Sequence, residues 1–373
     1  MSPARAALAG VVLFATAGTI AIAQTIKPVH VPSRPDTVVW GEFPIDRPAV
    51  ATIKSGEIVE IDTLSHQGAT QDQDPVAFLG AMGVGKNEVL RDVVDFWKSR
   101  GARPREGRAG HILTGPIDVE GAEPGDVLEI QILAYRLRVP YGINGGTGVL
   151  GAAYPGTLKS DAVPEGGRTL IRTGILDGRP VAFVAKNVVV PVRPFMGIMA
   201  VAPPAPTLET PGVSVAGVAN SRAPGAFGGN LDFKELVAGT SLFLPVFHRG
   251  GQLYVGDPHS AQGDGEVDGT AIEHSLTGRY RLIVHKGTSI ALPRVETPTA
   301  YILLGIDVDL NRAMRIAVQQ VVAFLETEKG MSSTDALALA SVGCDFHVAE
   351  AVDLTQVVAG IVPKRVFRST PRQ

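Results

Sequence analysis

Glycine and proline, 43 and 27 of 373 residues, recur along almost the whole chain and leave little room for long helices. Proline removes a backbone donor and fixes φ, while glycine raises the entropy cost of any regular element that contains it. A chain so interrupted is restricted to short strands joined by tight turns, as in sandwiches and barrels, rather than helix bundles. The runs between the interruptions agree. Residues 58–63 alternate apolar and polar side chains behind the turn Ser55-Gly56, as a half-buried strand does. Residues 117–120 and 127–133 flank the turn Pro124-Gly125-Asp126 and are expected to pair as a hairpin. Further strands are expected over 181–190, 241–246, 280–285 and 300–306, and a flexible loop over 144–148.

Two stretches read differently. Val89, Leu90, Val93, Val94 and Trp97 fall at helical spacing within 87–99, and Gly101 follows as a stop. Near the C-terminus Leu310, Met314, Ala317, Val318, Val321, Val322 and Leu325 form one helical stripe ended by Lys329-Gly330. Ser333 can cap a second helix over 335–342. The expected architecture is mainly β, sandwich or barrel-like, over 49–300, with a smaller mixed α/β part over 301–373. Residues 24–48 are Pro-rich and read as an irregular arm over the body.

With 34 basic and 37 acidic side chains the net charge is -3, which offers no basic face for nucleic acid. Arg5, the apolar run from Ala6 to Ile22 and the small-x-small triplet Ala21-Ile22-Ala23 have the form of an export signal cleaved after Ala23. A periplasmic or secreted protein, free of the membrane after cleavage, is the expectation. The lone Cys344 excludes an intramolecular disulfide, so stability rests on core size.

The segment GDPHSAQGDGEVDGTAIE, residues 256–273, crowds five carboxylates and a histidine onto a Gly-rich backbone. Such groups repel one another unless a cation, a proton or a substrate compensates them. Asp257 and His259 are two apart, as are Asp264, Glu266 and Asp268, so in extended backbone each set shares a face. An EF-hand starting at Asp264 would put Ser275 where a bidentate glutamate is required, and that reading fails. A solvated acidic turn remains the plain alternative, although it needs neither His259 nor Gln262.

Upstream, Gly228-Gly229-Asn230-Leu231-Asp232 allows close backbone approach, and Asp232 could ligate a metal or orient a histidine; an ordinary Asn/Asp turn would look the same. His66 and His111 follow loop-like residues and are weak signals singly. Cys344 lies among small apolar neighbours and reads as an inert thiol rather than a nucleophile. No G-x-S-x-G, H-E-x-x-H, paired C-x-x-C or Walker loop is present.

Several blocks together resemble the acetamidase/formamidase family: TGPIDVEGAEPGDVLEI at 114–130, PFMGIMAVAP at 194–203, GNLDFKEL at 229–236, LPVF at 244–247 and VGDPHSAQGDGEVDGTAIE at 255–273. The resemblance spans about residues 55–363 in family order. It implies hydrolysis of the C–N bond of short amides with release of ammonia, a metal dependence, a β-rich fold and a homo-oligomer. Read with the resemblance, Asp232, Asp257 and His259 are the expected ligands of a divalent metal, zinc or else calcium. Glu266 or Glu273 is the expected general base, and Asn230, Gln262 and Asp264 are expected to contact the amide. The family often carries cysteine where this chain has Asp268, which argues against a thiol nucleophile there. The sequence around His66 and from Asp72 to Pro75 also departs from the pattern, so a larger amide or a cyclic imide is a second reading. A non-catalytic, metal-dependent binding protein is a third.

Overall fold

The computed structural model describes residues 28–102, 110–145, 167–204 and 219–367. The signal-like residues 1–23 and the loop glycines 146 and 148 lie outside them.

The frame is two open sheets packed face to face. The larger has nine strands, in the order Val29–Val31, Ile58–Asp62, Leu276–His285, Val127–Leu137, Ser241–Pro245, Arg294–Glu296, Ala300–Asp307, Gln356–Pro363 and Asp345–Glu350. The smaller runs Gly228–Asn230, Phe195–Ala200, Leu253–His259, Ile112–Val119 and Val38–Trp40, with Ala51–Ile53 also paired to Ile112–Val119. One apolar core lies between them. Ile61, Ile130, Leu242, Tyr280 and Leu282 belong to it from the larger sheet, and Leu113, Ile117, Met196, Ile198 and Tyr254 from the smaller. Neither sheet closes on itself, so the fold is a β-sandwich rather than a barrel. A four-stranded sheet, Val188–Pro191, Arg179–Ala185, Thr169–Leu176 and Tyr141–Asn144, stands beside this frame.

The C-terminal part is mixed α/β, as its helical stripe predicts. The helix Leu310–Lys329 is capped by Asp309, whose side chain accepts from the Arg312 amide, and is stopped by Gly330 at φ 65°. It lies on the strands Ala300–Asp307 and Gln356–Pro363. Gly305 permits the contact, since a Cβ there would meet the Ala313 carbonyl oxygen at 2.0 Å.

Several local expectations need correction. Residues 117–120 and 127–133 do not form a hairpin. The first run belongs to Ile112–Val119 in the smaller sheet and the second to Val127–Leu137 in the larger. Ile117 and Ile130 both serve the inter-sheet core, so the turn carries the chain across it. There Asp126 accepts from the amides of Glu123 and Gly287 and from Lys286. The strand over 181–190 is a hairpin, folded back beyond Ala185 with Asn187 at φ 65°. The helix over 87–99 breaks into a 3₁₀ turn, Lys86–Glu88, and the helix Arg91–Ser99. Val89 and Leu90 stay extended to pack with Tyr141, while Glu88 is tied to the Gly85 amide and to Arg172. The last helix, Ser333–Gly343, starts earlier than expected, and its cap is Ser332 rather than Ser333. The stretch before Pro48 is less irregular than its prolines suggest, with the short strands Val29–Val31, Val38–Trp40 and Glu42–Phe43.

Candidate active site

The acidic segment starts as a strand and ends as a loop, and that change gathers its charges. Asp257 and His259 lie on Leu253–His259, which pairs with Phe195–Ala200 through Phe195↔His259, Met196↔Pro258 and Ile198↔Gly256. The ladder skips Gly197 and Asp257, and Asp257 adopts φ 49°. Asp232 and Glu266 are also left-handed, at 41° and 45°. Non-glycine residues avoid this region at a cost of about 1–3 kcal/mol each, and clusters of such strain mark functional sites. Gly197 forms the floor. A Cβ there would lie 2.3 Å from Asp232 Oδ1, 2.7 Å from Asp257 Oδ2 and 2.9 Å from His259 Cε1. The absent side chain is what lets three polar groups meet.

At the centre, His259 Nε2 lies 3.1 Å from Asp257 Oδ2, 3.2 Å from Glu273 Oε1 and 3.9 Å from Glu266 Oε1. Its Nδ1 donates to Gln262 Oε1 at 3.0 Å, while Gln262 Nε2 donates to the Asp232 carbonyl at 2.6 Å. Gln262 therefore ties His259 to the Asp232 backbone and leaves Nε2 turned to Asp257, Glu273 and Glu266, with Asp232 Oδ1 at 3.7 Å from Nδ1. Phe195 stands edge-on to the imidazole at 5.1 Å. Asp257 faces two ways, its Oδ1 lying 3.5 Å from His66 Nδ1, which is also 3.7 Å from Glu273 Oε2. The His66 and His111 rings meet at 5.5 Å, and Ser221 Oγ lies 3.0 Å from His111 Nδ1.

The electrostatics follow from crowding in a dry place. His259 is fully buried, and Asp232, Asp257 and Glu273 are no more than 4% exposed. Burial drives Asp232 and Glu266 well above the usual carboxylate range, helped by their acidic neighbours, and it raises Glu273. Burial pulls the histidines the other way. At His259 and His66, Asp257 and Glu273 more than offset it and both are raised; His111 drops to about 4 and is neutral at neutral pH. Asp257, with three histidines around it, stays well below its ordinary value against the cost of burial.

These groups fit a divalent cation. His259 Nε2, both Asp232 oxygens, Asp257 Oδ1, Glu273 Oε2 and His66 Nδ1 are buried without an aligned hydrogen-bond partner among the described residues. Donor atoms of Asp232, His259 and Glu266 lie within 4.8 Å of one another, as do those of Asp257, His259 and Glu273, and of His66, His111 and Asp257. A mixed nitrogen and oxygen set suits zinc, whereas calcium takes oxygen alone.

Of the residues singled out in the sequence, Asp232, Asp257, His259, Glu266 and Glu273 come together here, and Gln262 braces them. Asp264 stands apart, with its carboxylate on Lys234 Nζ at 2.8 Å. Asp268 caps a turn, accepting from the Thr270 amide and from Asn144. Cys344 is remote in the C-terminal cluster, and burial lifts its thiol to about 11. His66 and His111, weak as isolated signals, both reach the centre. Sequence reasoning missed Gly197, Arg222, Glu350 and Asp353. Asn230 Nδ2 donates to Asp353 Oδ2, and Arg222 Nε donates to Asp353 Oδ1 at 3.3 Å. Glu350 accepts from the amides of Val352 and Asp353, fixing the turn that presents Asp353. None of these has a local signal beyond an ordinary turn or strand residue.

A formamidase from Methylophilus methylotrophus is 26% identical over 291 residues, 65% of this chain and 64% of that one. An acetamidase from Mycolicibacterium smegmatis is 30% identical over 272 residues, 60% of each. The chain thus spans less than two thirds of the length of these relatives. Among solved structures, an acetamidase from Bacillus halodurans shares the fold with a TM-score of 0.70 at 23% identity, covering 91% of this chain and 98% of that one. The profile of the acetamidase/formamidase family matches residues 106–221 and 213–369, which hold every residue of the cluster but His66. By sequence as by fold, the chain belongs to the acetamidase/formamidase family.

Proposed function

We propose that this chain is an amidohydrolase that cleaves the C–N bond of a short linear amide, of the size of formamide or acetamide, to carboxylate and ammonia. The observation that carries the reading is the convergence of buried carboxylates on His259, in a chain of a family whose relatives are named for these amides.

Amides are weak electrophiles, so attack requires an activated water and a stabilised oxyanion. Asp257, His259 and Glu273 would hold a divalent ion, zinc by the donor set, with His66 on the Asp257 side and with Asp232 and Glu266 grouped around the same imidazole. When bound, such an ion polarises a carbonyl and lowers the pKa of a coordinated water toward about 7. The proton must then travel from water to the leaving nitrogen. Glu273 Oε1 is held by the Ala271 amide at 3.1 Å and suits a fixed role. Glu266, whose elevated pKa lets it carry a proton, is the better carrier. Gln262 keeps His259 Nε2 turned inward, and Asn230 offers a buried amide to the substrate.

Residues 1–23 support work in the periplasm or outside the cell. Assembly into a homo-oligomer is supported by apolar side chains exposed on the four-stranded sheet, among them Ile175, Leu176, Phe183 and Val188.

The test is ammonia release by the purified protein from a panel of small amides. Activity on formamide or acetamide should vanish on chelation and return with zinc. Glu266→Gln should keep the fold and the metal yet lose about 10² to 10⁴ in turnover. Ammonia release untouched by chelation would remove the metal from the reading, and a near wild-type Glu266→Gln would remove that carboxylate from the proton path.

A further inference from the structure

The structure assigns Asp353 as a positioning residue: with Arg222 behind it, it fixes which end of the Asn230 amide is offered to the substrate. This rests on the amidohydrolase reading above.

An asparagine side chain can present either a donor or an acceptor, and its two orientations have the same shape. Here the neighbour decides. Asp353 Oδ2 takes the Asn230 Nδ2 hydrogen; burial raises this carboxyl to about 6, with Asp232 and Arg222 acting against the rise, and in its ionised form it can only accept, so the nitrogen must face it. The Asp353 carboxylate is itself oriented, because Arg222 Nε donates to its other oxygen at 3.3 Å and Arg222 Nη2 donates to the Val352 carbonyl at 3.3 Å. Its backbone is set by Glu350, which accepts from the Asp353 amide at 2.6 Å. The C-terminal segment is also stitched to the acidic loop, with the Gly265 amide on the Ala349 carbonyl at 2.9 Å and the Ala351 amide on the Gly265 carbonyl at 3.3 Å.

What remains of Asn230 is its Oδ1. It is buried and has no hydrogen-bond partner among the described residues, in a residue only 2% exposed. A buried acceptor left unpaired costs about 1–3 kcal/mol, which a ligand donor can recover. A primary amide carries two N–H groups, and ammonia three, so an acceptor locked in this sense selects for the nitrogen end of the substrate. A flipped Asn230 would instead present N–H groups and favour an oxygen.

The experiment exchanges the two groups. In Asp353→Asn, residue 353 no longer dictates the flip, and kcat/KM per metal-loaded chain for the amide that wild type hydrolyses should fall about tenfold. In the double variant Asn230→Asp/Asp353→Asn, the asparagine at 353 donates to the carboxylate at 230, which again offers an oxygen to the substrate, and kcat/KM should return to within about threefold of wild type. A purely structural loss would not be reversed by this exchange. An unchanged Asp353→Asn, or a double variant no better than the single, overturns the assignment. Should Asp353→Asn fail to fold, Arg222→Gln decides instead. It slackens the carboxylate and leaves Asn230 and Asp353 in place, so activity equal to wild type overturns the assignment and a selective loss supports it. A wild-type protein that releases ammonia from no amide sinks the amidohydrolase reading first, and this inference with it.

Discussion

The residue that contributes least mass to the site controls most of its geometry. Gly197 has no side chain to offer, yet Asp232, Asp257 and His259 can converge only because nothing stands between them. Adding one methyl group there would place a carbon against two carboxylate oxygens and an imidazole carbon, each closer than 3.0 Å. We therefore expect Gly197→Ala to lower metal affinity by about 10- to 100-fold, the range seen when groups that orient metal ligands are lost. Metal analysis after dialysis at a series of free zinc concentrations checks this, and retention equal to wild type would show that the site opens more easily than its packing suggests. The left-handed φ values of Asp232, Asp257 and Glu266 belong to the same scale. Asp257 is held so within a strand, and Asp232 and Glu266 in the loops after two strands, so substitution by residues of other shapes should not be read as loss of charge alone.

Among elements, the close contact of the helix Leu310–Lys329 with its sheet is the feature most exposed to a single change. A Cβ on Gly305 would run into backbone, the Ala313 carbonyl and the Ala317 amide nitrogen, and backbone cannot swing aside as a flexible side chain does. Gly305→Ala should destabilise by about 1–3 kcal/mol, measured as a lower urea midpoint with an unchanged slope, while turnover per folded molecule stays the same. This element was legible in the sequence because Ala317, Val321 and Leu325 fall on one face of a helix, although Leu310 and Met314 of the same stripe are exposed and Ala313 and Phe324 complete the buried face. Ser241–Pro245 and Ala300–Asp307 were legible for the matching reason, as apolar runs between turns. The hairpin across Pro124-Gly125-Asp126 was misread because alternation reports that a strand is buried on one face, not which of two sheets it joins. In the site, crowding betrayed Asp257, His259, Glu266 and Glu273, since repulsion needs a reason. Asp353 was invisible: one aspartate in AVDLT has no unusual neighbour until the fold brings Asn230 and Arg222 to it.

For the molecule as a whole, the site is an unfavourable way to arrange charge unless something compensates it. Asp232 and Glu266 hold protons more tightly than free carboxylates do, chiefly because they are buried among other acids. A cation that binds the folded chain and not the unfolded one stabilises it by mass action, about 2.7 kcal/mol at a hundredfold excess over its dissociation constant. The thermal midpoint should accordingly rise with added zinc and fall on chelation, followed by calorimetry. A midpoint indifferent to both would mean that the carboxylates are compensated by protons alone.

The spread of its residues along the chain bears on when such a site can exist. His66 lies near the beginning, Asp232 and the acidic loop past the middle, and Asp353 in the turn before the strand Gln356–Pro363, which is flanked by Ala300–Asp307 and Asp345–Glu350. The cluster is thus drawn from segments far apart in sequence, and it exists only once the two sheets that carry them have formed. A cation that needs the whole cluster would therefore bind the folded chain and not the unfolded one.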